Sequence, residues 1–213
     1  MCRPASFLIT QSRVMWSKDH DSHEELIREA GLSDGLHGGG DFVRTEIVPP
    51  GDDYSLPLEQ WVYHADQDTV PDWYDAREAE IACRAELPAW AQHHFIRDGQ
   101  VEVRDRQSRV LLGQAHAKVT GGEVWCYDQA RAEVHGGEVM CWDESRAVVH
   151  GGEVWCWDES RAVVHGGEVM CWHESRAEVH GGEVVCWHES RAEVHGGLVR
   201  CHDQATMDDR RNK

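Results

Sequence analysis

A unit of 15 residues recurs from Gly121 almost to the end of this 213-residue chain. Its second copy, from Gly136 to His150, is GGEVMCWDESRAVVH. A fixed period this short is typical of a solenoid, because each unit can bury its inner face only against its neighbours. Stacking the copies in register places cysteines in one column and histidines in another, namely Cys126, Cys141, Cys156, Cys171, Cys186 and Cys201, and His135, His150, His165, His180 and His195.

Each copy alternates small or apolar residues with larger or charged ones, and this period of two predicts β-strands. The inward set contains nothing bulkier than valine, so we expect a narrow, flattened coil with Trp142 on the outside. The Gly136-Gly137 pair predicts a tight reversal, and the opposite corner at Asp143 is expected to be gentler. We therefore predict two strands per coil, near residues 138–142 and 146–150, each hydrogen-bonded to its equivalent in the next coil about 4.8 Å away.

The chain is long enough for two modest units. Residues 106–120 fall in register with the repeats and indicate a degenerate first coil, with Leu111 in the cysteine column. The prediction is a mainly β protein whose β-solenoid of 15-residue repeats occupies residues 101–207. A small α+β domain at residues 1–100 would cap it, and residues 208–213 form a charged tail.

The N-terminal stretch predicts the element order ββαββαα. Residues 7–10 and 13–16 flank a polar turn and predict a hairpin. Ser22 with Glu25 three residues later forms a capping box, and the helix that it opens is expected to end at Gly31 in the left-handed conformation.

Farther along, we expect a flexible loop at residues 35–40 and strands at residues 42–48 and 61–65. One helix is expected to start at Pro71 and a shorter one, including Phe95, at Pro88.

The net charge of −18 disfavours direct binding to nucleic acid or to an anionic membrane and favours a basic partner, although it also serves solubility. No apolar run approaches the length of a membrane span, and the N-terminus lacks a secretory signal, so we expect a cytoplasmic protein.

Six of the eight cysteines lie in the inward column. Parallel side chains in register do not easily reach the disulfide dihedral, so we expect a reduced ladder.

The sequence carries no catalytic-triad, phosphate-loop or dinucleotide signature, so we expect neither an enzyme nor a cofactor. The histidine column points outward and the cysteine column inward, which prevents them from sharing a zinc ion. The histidine row is interpreted as solvated surface, with metal binding or pH sensing as the alternatives. Four carboxylates between Asp66 and Asp75 could hold calcium, but the glycine and bidentate glutamate of an EF-hand are missing, so helix capping and loop solvation by Asp72 and its neighbours are favoured. Four other histidines are expected at the surface: His20, His23, His93 and His94.

Several stretches resemble uncharacterised proteins of phages and prophages: FLIT at residues 7–10, SHEELI at 22–27 and DQDTVPDWY at 66–74, with the repeats behind them. Those proteins look like a small head module followed by tandem short repeats with the pattern Tyr/Trp-Asp-x-Ser-x-x-Val, which residues 142–148 match. The resemblance covers nearly the whole chain. It implies a phage setting and no particular activity.

Two outward columns of the repeat carry large apolar side chains. We expect them to form an exposed aromatic stripe, and such patches on soluble proteins mark contact surfaces. Rings about 4.8 Å apart would also stack on one another as a structural ladder, which is the alternative. The candidate contact residues are Trp125, Tyr127, Met140, Trp142, Trp155, Trp157, Met170, Trp172 and Trp187.

Three functions remain open at this point. The first is a non-enzymatic solenoid that binds another protein, or pairs with its own copies as a homodimer, through the stripe. The second is an acidic mimic of DNA that occupies a nucleic-acid-binding host protein. The third is a metal-binding or enzymatic protein.

Overall fold

The computed structural model describes residues 5–33 and 40–211. The chain forms two compact units, residues 1–94 and residues 95–213. All but the last residue of the loop predicted at 35–40 lies outside the described residues. Within the described ranges, no helix combines the length and the apolar character that crossing a membrane requires.

The first unit contains a four-stranded antiparallel sheet in the order β2-β1-β3-β4. The expected hairpin is confirmed, with Leu8 opposite Met15, and so are the two later strands. The element bounds are β1 Ser6–Thr10, β2 Val14–Met15, α1 His23–Glu29, β3 Phe42–Val48, β4 Val62–Ala65 and α2 Ala76–His94, with short 3-10 turns at Pro50–Asp52 and Leu58–Gln60.

Helix α1 begins and ends as predicted. The Ser22 hydroxyl accepts a hydrogen bond from the Glu25 backbone N–H at 3.5 Å. At the other end Gly31 has φ +67°. The Gly31 and Leu32 N–H groups donate to the carbonyls of Arg28 and Ile27, so the last carbonyls are satisfied as in a Schellman motif.

The predictions for the second helical region are wrong in two respects. The helix begins at Ala76 and not at Pro71, because the Asp75 carboxylate accepts hydrogen bonds from the N–H groups of Arg77 and Glu78 and so caps the first turn. It then runs through Pro88 to His94 as one helix, and Phe95 starts a strand. The observed order of this unit is therefore ββαββα.

The second unit is a parallel β-solenoid, which confirms the predicted fold. Strands pair with their equivalents one coil away, so that Cys156 lies opposite Cys171 and Ala162 opposite Ala177. The strands are β5 Phe95–Ile96, β6 Gln100–Val103, β7 Ser108–Leu111, β8 His116–Cys126, β9 Arg131–Cys141, β10 Arg146–Val149, β11 Glu153–Cys156, β12 Arg161–Val164, β13 Glu168–Cys171, β14 Arg176–Val179, β15 Glu183–Cys186, β16 Arg191–Val194, β17 Leu198–Cys201 and β18 Thr206–Asp209.

Both ends of the solenoid reach beyond the predicted bounds. The degenerate coil is present, with Leu111 opposite Cys126, and another coil precedes it because Phe95 pairs with Val110. At the other end, strand β18 continues through Asp208 and Asp209, which the sequence analysis assigned to the tail.

The two turns of each coil both use left-handed backbone. Gly137 has φ +81°, as expected for the tight reversal. The opposite corner is not gentle, because Asp143 has φ +55° and the Ser145 N–H donates to the Trp142 carbonyl at 3.1 Å. Aspartate is among the few side chains that tolerate this conformation.

The solenoid core is built from the inward columns alone. The valine, cysteine and alanine columns are at most 3% exposed from the coil at Val124 to the coil at Val194. Since no core side chain there is bulkier than valine, the two sheets of a coil lie close together and every large side chain is left outside.

Candidate functional site

The outward aromatic columns form a ladder along the solenoid. Ring centroids are 4.8 Å apart for Tyr127 and Trp142 and for Trp142 and Trp157, and 5.2 Å apart for Trp157 and Trp172. The rings of these pairs are within 9° of parallel. The coil repeat of the parallel sheet therefore sets the ring spacing, and each ring hides the faces of its neighbours.

The ladder is less exposed than the sequence predicts. Trp125, Met140 and Tyr127 are 5%, 3% and 9% exposed, so at these three positions the expectation of an exposed stripe is wrong. The other predicted contact residues are half-buried, namely Trp142, Trp155, Trp157, Met170, Trp172 and Trp187. Trp142 and Trp157 are stacked on both sides, so these two rings present their edges, and not open faces, to the surroundings.

Carboxylates border this aromatic surface on both sides. Along one coil the outward order is Glu138, Met140, Trp142 and then the turn with Asp143 and Glu144. Glu153 and Glu168 continue the first column, and Glu159, Glu174 and Glu189 continue the turn column. We call the whole arrangement the acidic–aromatic face. At its first coil, burial and then the neighbouring Glu138 carboxylate raise the pKa of Glu123.

The other sheet of the solenoid carries arginine and histidine columns. The histidine rings stack at 4.9 Å for His135 and His150 and at 5.1 Å for His150 and His165. The Glu133 carboxylate forms a hydrogen bond with His135 Nε2 at 2.9 Å, and this bond lowers the pKa of Glu133. One nitrogen of each of these first two histidines and one oxygen of Glu133 lie within 4.8 Å of one another, close enough for a metal ion but on an exposed surface.

The inward cysteines are free thiols stacked at the coil spacing. Hydrogen bonding to the Cys141 thiol and then burial raise the pKa of Cys126, and contacts to both neighbours and burial do the same for Cys156. Cys126 and Cys156 are therefore held protonated in the core, where they act as small apolar side chains.

Three histidines predicted at the surface are buried in the first unit, and this prediction is wrong. His20, His23 and His94 are 4%, 1% and 1% exposed, whereas His93 is exposed as expected. The His94 ring stacks on Trp90 at 4.7 Å, and its Nε2 contacts the Ser17 carbonyl at 2.8 Å.

His23 belongs to a cluster that the sequence analysis missed. Its Nδ1 lies 3.3 Å from Asp66 Oδ2 and its Nε2 lies 3.1 Å from the Thr45 carbonyl oxygen. One ligand atom each from His23, Glu46 and Asp66 lie within 4.8 Å of one another. His64 Nε2 is 3.2 Å from the buried Glu46 carboxylate. In the sequence, His23 stands just after the helix cap and Asp66 just after a strand. These residues are far apart along the chain, so no local motif indicates that they form a cluster.

The end of the acidic segment serves structure. Asp75 caps helix α2, and Tyr74 shares a 2.7 Å hydrogen bond with the Tyr63 hydroxyl. Burial and this bond raise the pKa of Tyr63. Helix capping is therefore confirmed at the end of this segment, but the residue that caps the helix is Asp75 and not Asp72.

Comparison with protein-family models, with curated proteins and with solved structures yields no match for this chain.

Proposed function

We propose that the solenoid is a non-enzymatic binding module and that its acidic–aromatic face contacts a protein surface bearing both apolar and basic groups. The observation that carries the proposal is the half-buried ladder at Trp142, Trp157 and Trp172 between two columns of carboxylates. An apolar strip framed by charge resembles a contact patch, in which the apolar centre supplies affinity and the rim supplies specificity.

Ring orientation limits the type of contact. Because Trp142 and Trp157 stack face to face with both neighbours, a lysine or arginine cannot reach their negative faces, and only the electropositive ring edges are available there. Basic groups of the partner would instead pair with the flanking carboxylates, such as Glu144 and Glu153, while apolar groups pack on the ring edges.

The same charges weigh against the homodimer. Pairing two identical acidic–aromatic faces would bring carboxylate columns of two copies together, and like charges placed opposite each other are destabilising. A different protein with a basic surface is the better complement, and self-association becomes an outcome of the test.

The test compares three variants of the tagged chain in a nuclease-treated bacterial lysate. The aromatic variant replaces Trp142, Trp157 and Trp172 with serine. The charge variant replaces Glu144, Glu159 and Glu174 with glutamine. The control replaces three arginines of the other sheet, Arg146, Arg161 and Arg176, with serine. Circular dichroism establishes that each is folded, and the mass of each chain in solution is recorded.

We expect the wild type and the arginine variant to capture the same protein and the aromatic variant to lose it. Capture that persists in the folded aromatic variant would contradict the proposed contact. A wild-type dimer that becomes a monomer only in the aromatic variant would replace the partner with a second copy of the chain.

A second candidate function, the acidic mimic of DNA, is favoured by the regular charge spacing. Each coil from residue 123 to residue 197 carries three carboxylates and one arginine, a net charge of −2. With coils about 4.8 Å apart, the solenoid presents about one net negative charge per 2.4 Å of axis. Duplex DNA carries about one per 1.7 Å.

The aromatic variant and competition with DNA separate the two candidates, because both of them depend on the carboxylates that the charge variant removes. A mimic should lose its partner in the glutamine variant and keep it in the aromatic variant, and short duplex DNA should displace the partner from the wild type. A partner that DNA does not displace, and that depends on the tryptophans, rules out mimicry. The phage setting suggested by the resemblance stays a prediction.

A further inference from the structure

We infer that the first unit holds a divalent transition-metal ion, with zinc as the best fit, between His23, Glu46 and Asp66. These residues lie in three different parts of the unit, namely the start of α1, the middle of β3 and the position just after β4. Their ligand atoms lie within 4.8 Å of one another. The site lies outside the solenoid and goes beyond the function proposed for it.

The tautomer of His23 supports this inference. Its Nε2 faces the Thr45 carbonyl at 3.1 Å, and a carbonyl oxygen can only accept, so this nitrogen carries the proton. In the neutral ring, Nδ1 then has a lone pair, and it points at the Asp66 carboxylate 3.3 Å away. Two acceptor atoms facing each other require a proton or a cation between them.

The surroundings of the cluster match those of metal ligands. Histidine ligands usually donate their other ring N–H to a backbone carbonyl or a carboxylate, which fixes the ring, and the Thr45 carbonyl does this for His23. The side chains of His23 and Glu46 are 2% and 6% exposed. Glu46 also lies 3.2 Å from His64 Nε2, and His64 is directly opposite it on the neighbouring strand.

Distances and donor types indicate the class of metal. Two ligands about 2.1 Å from a tetrahedral zinc ion lie about 3.4 Å apart, close to the 3.3 Å between His23 Nδ1 and Asp66 Oδ2. One imidazole and two carboxylates suit zinc or manganese, and the absence of a thiolate from the set argues against copper(I). The Asp66 side chain is 48% exposed, so water can reach the remaining coordination position.

A protonated His23 paired with Asp66 is the competing explanation of the same contacts. The two differ in a measurable way, because an ion pair needs no metal and a metal site loses its ion when the imidazole is protonated.

The experiment titrates Zn²⁺ into the full chain after removal of metal with a chelator. Asp66→Asn removes one ligand at a half-exposed position, and Asp68→Asn makes the same change of charge two residues away at an exposed position. All three proteins are also prepared with His150→Gln, which disrupts the exposed cluster of the histidine column. Calorimetry gives the affinity, and the thermal midpoint gives the stabilisation.

We expect one zinc ion per chain to bind with an affinity that Asp68→Asn and His150→Gln leave unchanged and that Asp66→Asn lowers at least tenfold. Zinc should also raise the thermal midpoint of the parent and the Asp68→Asn variant, but much less that of Asp66→Asn. Cobalt(II) in place of zinc should show a visible absorption band that Asp66→Asn abolishes.

Three results would overturn the inference. Equal zinc affinity in Asp66→Asn and Asp68→Asn would show that Asp66 is not a ligand. Loss of stoichiometric binding only with His150→Gln would place the ion on the histidine column. No saturable binding at neutral pH would leave the ion pair as the whole explanation.

Discussion

At the scale of single residues, the second glycine of each turn combines a left-handed backbone with a close approach to the preceding coil. Gly152 has φ +81°, and a Cβ there would lie 2.6 Å from the Gly137 carbonyl oxygen of the preceding coil. Gly99 has nearly the same conformation, φ +77°, but a Cβ there would meet nothing within 4 Å. The pair therefore separates the cost of a left-handed backbone from the cost of close stacking between coils.

We predict that Gly99→Ala lowers the free energy of unfolding by about 1–2 kcal/mol, the penalty for a side chain in the left-handed region. Gly152→Ala should cost about 1–3 kcal/mol more, because the methyl group overlaps backbone that cannot move without shifting a coil. Urea unfolding followed by circular dichroism measures both. Equal costs would show that the coils can separate to admit a methyl group.

At the scale of one element, the buried serine column shows how equivalent positions can differ in energy. Ser160 and Ser190 both have no exposed surface. The Ser190 hydroxyl donates to the Trp187 carbonyl at 2.8 Å, whereas the Ser160 hydroxyl has no hydrogen-bond partner among the residues that the structure describes. A buried hydroxyl without a partner loses its hydration without compensation.

We therefore predict opposite effects for the same substitution. Ser190→Ala should lower the free energy of unfolding by about 1 kcal/mol, since it removes a buried hydrogen bond. Ser160→Ala should leave it unchanged or raise it by up to about 1 kcal/mol, since only an uncompensated hydroxyl is lost. Chemical unfolding of the two variants side by side provides the measurement, and a matching loss in both would mean that Ser160 also makes a hydrogen bond in solution.

The strands could be predicted from the sequence because alternation with a period of two is a local pattern. The columns could be predicted because the 15-residue period of the sequence is also the register of strand pairing, as Cys156 and Cys171 show. The sharp corner was missed because Asp143 carries no mark of its left-handed backbone beyond its residue type. Burial of His23 was missed for a different reason. It depends on packing between α1 and β3, which are separated along the chain, so the candidate metal cluster has no sequence motif.

At the scale of the whole molecule, the solenoid is a one-dimensional stack. Its strands pair with equivalents one coil away, so each coil is stabilised by its two neighbours and the stack has no required length. Residues 141–152 and 156–167 have identical sequences. One coil can therefore be deleted without changing the residues that precede the next coil.

Deleting residues 153–167 should therefore leave a folded protein one coil shorter. The new junction joins Gly152 to Glu168, which restores the Gly-Gly-Glu sequence of the neighbouring turns and keeps each inward column continuous. We expect an unchanged shape of the circular dichroism spectrum and a modest fall in the thermal midpoint.

Deleting only residues 153–160 is the control. It removes one strand, so the strand that begins with Arg161 and Ala162 would stack on a strand of the wrong sheet. That variant should lose the cooperative transition, and a cooperative transition of unchanged midpoint would contradict the nearest-neighbour description of the stack.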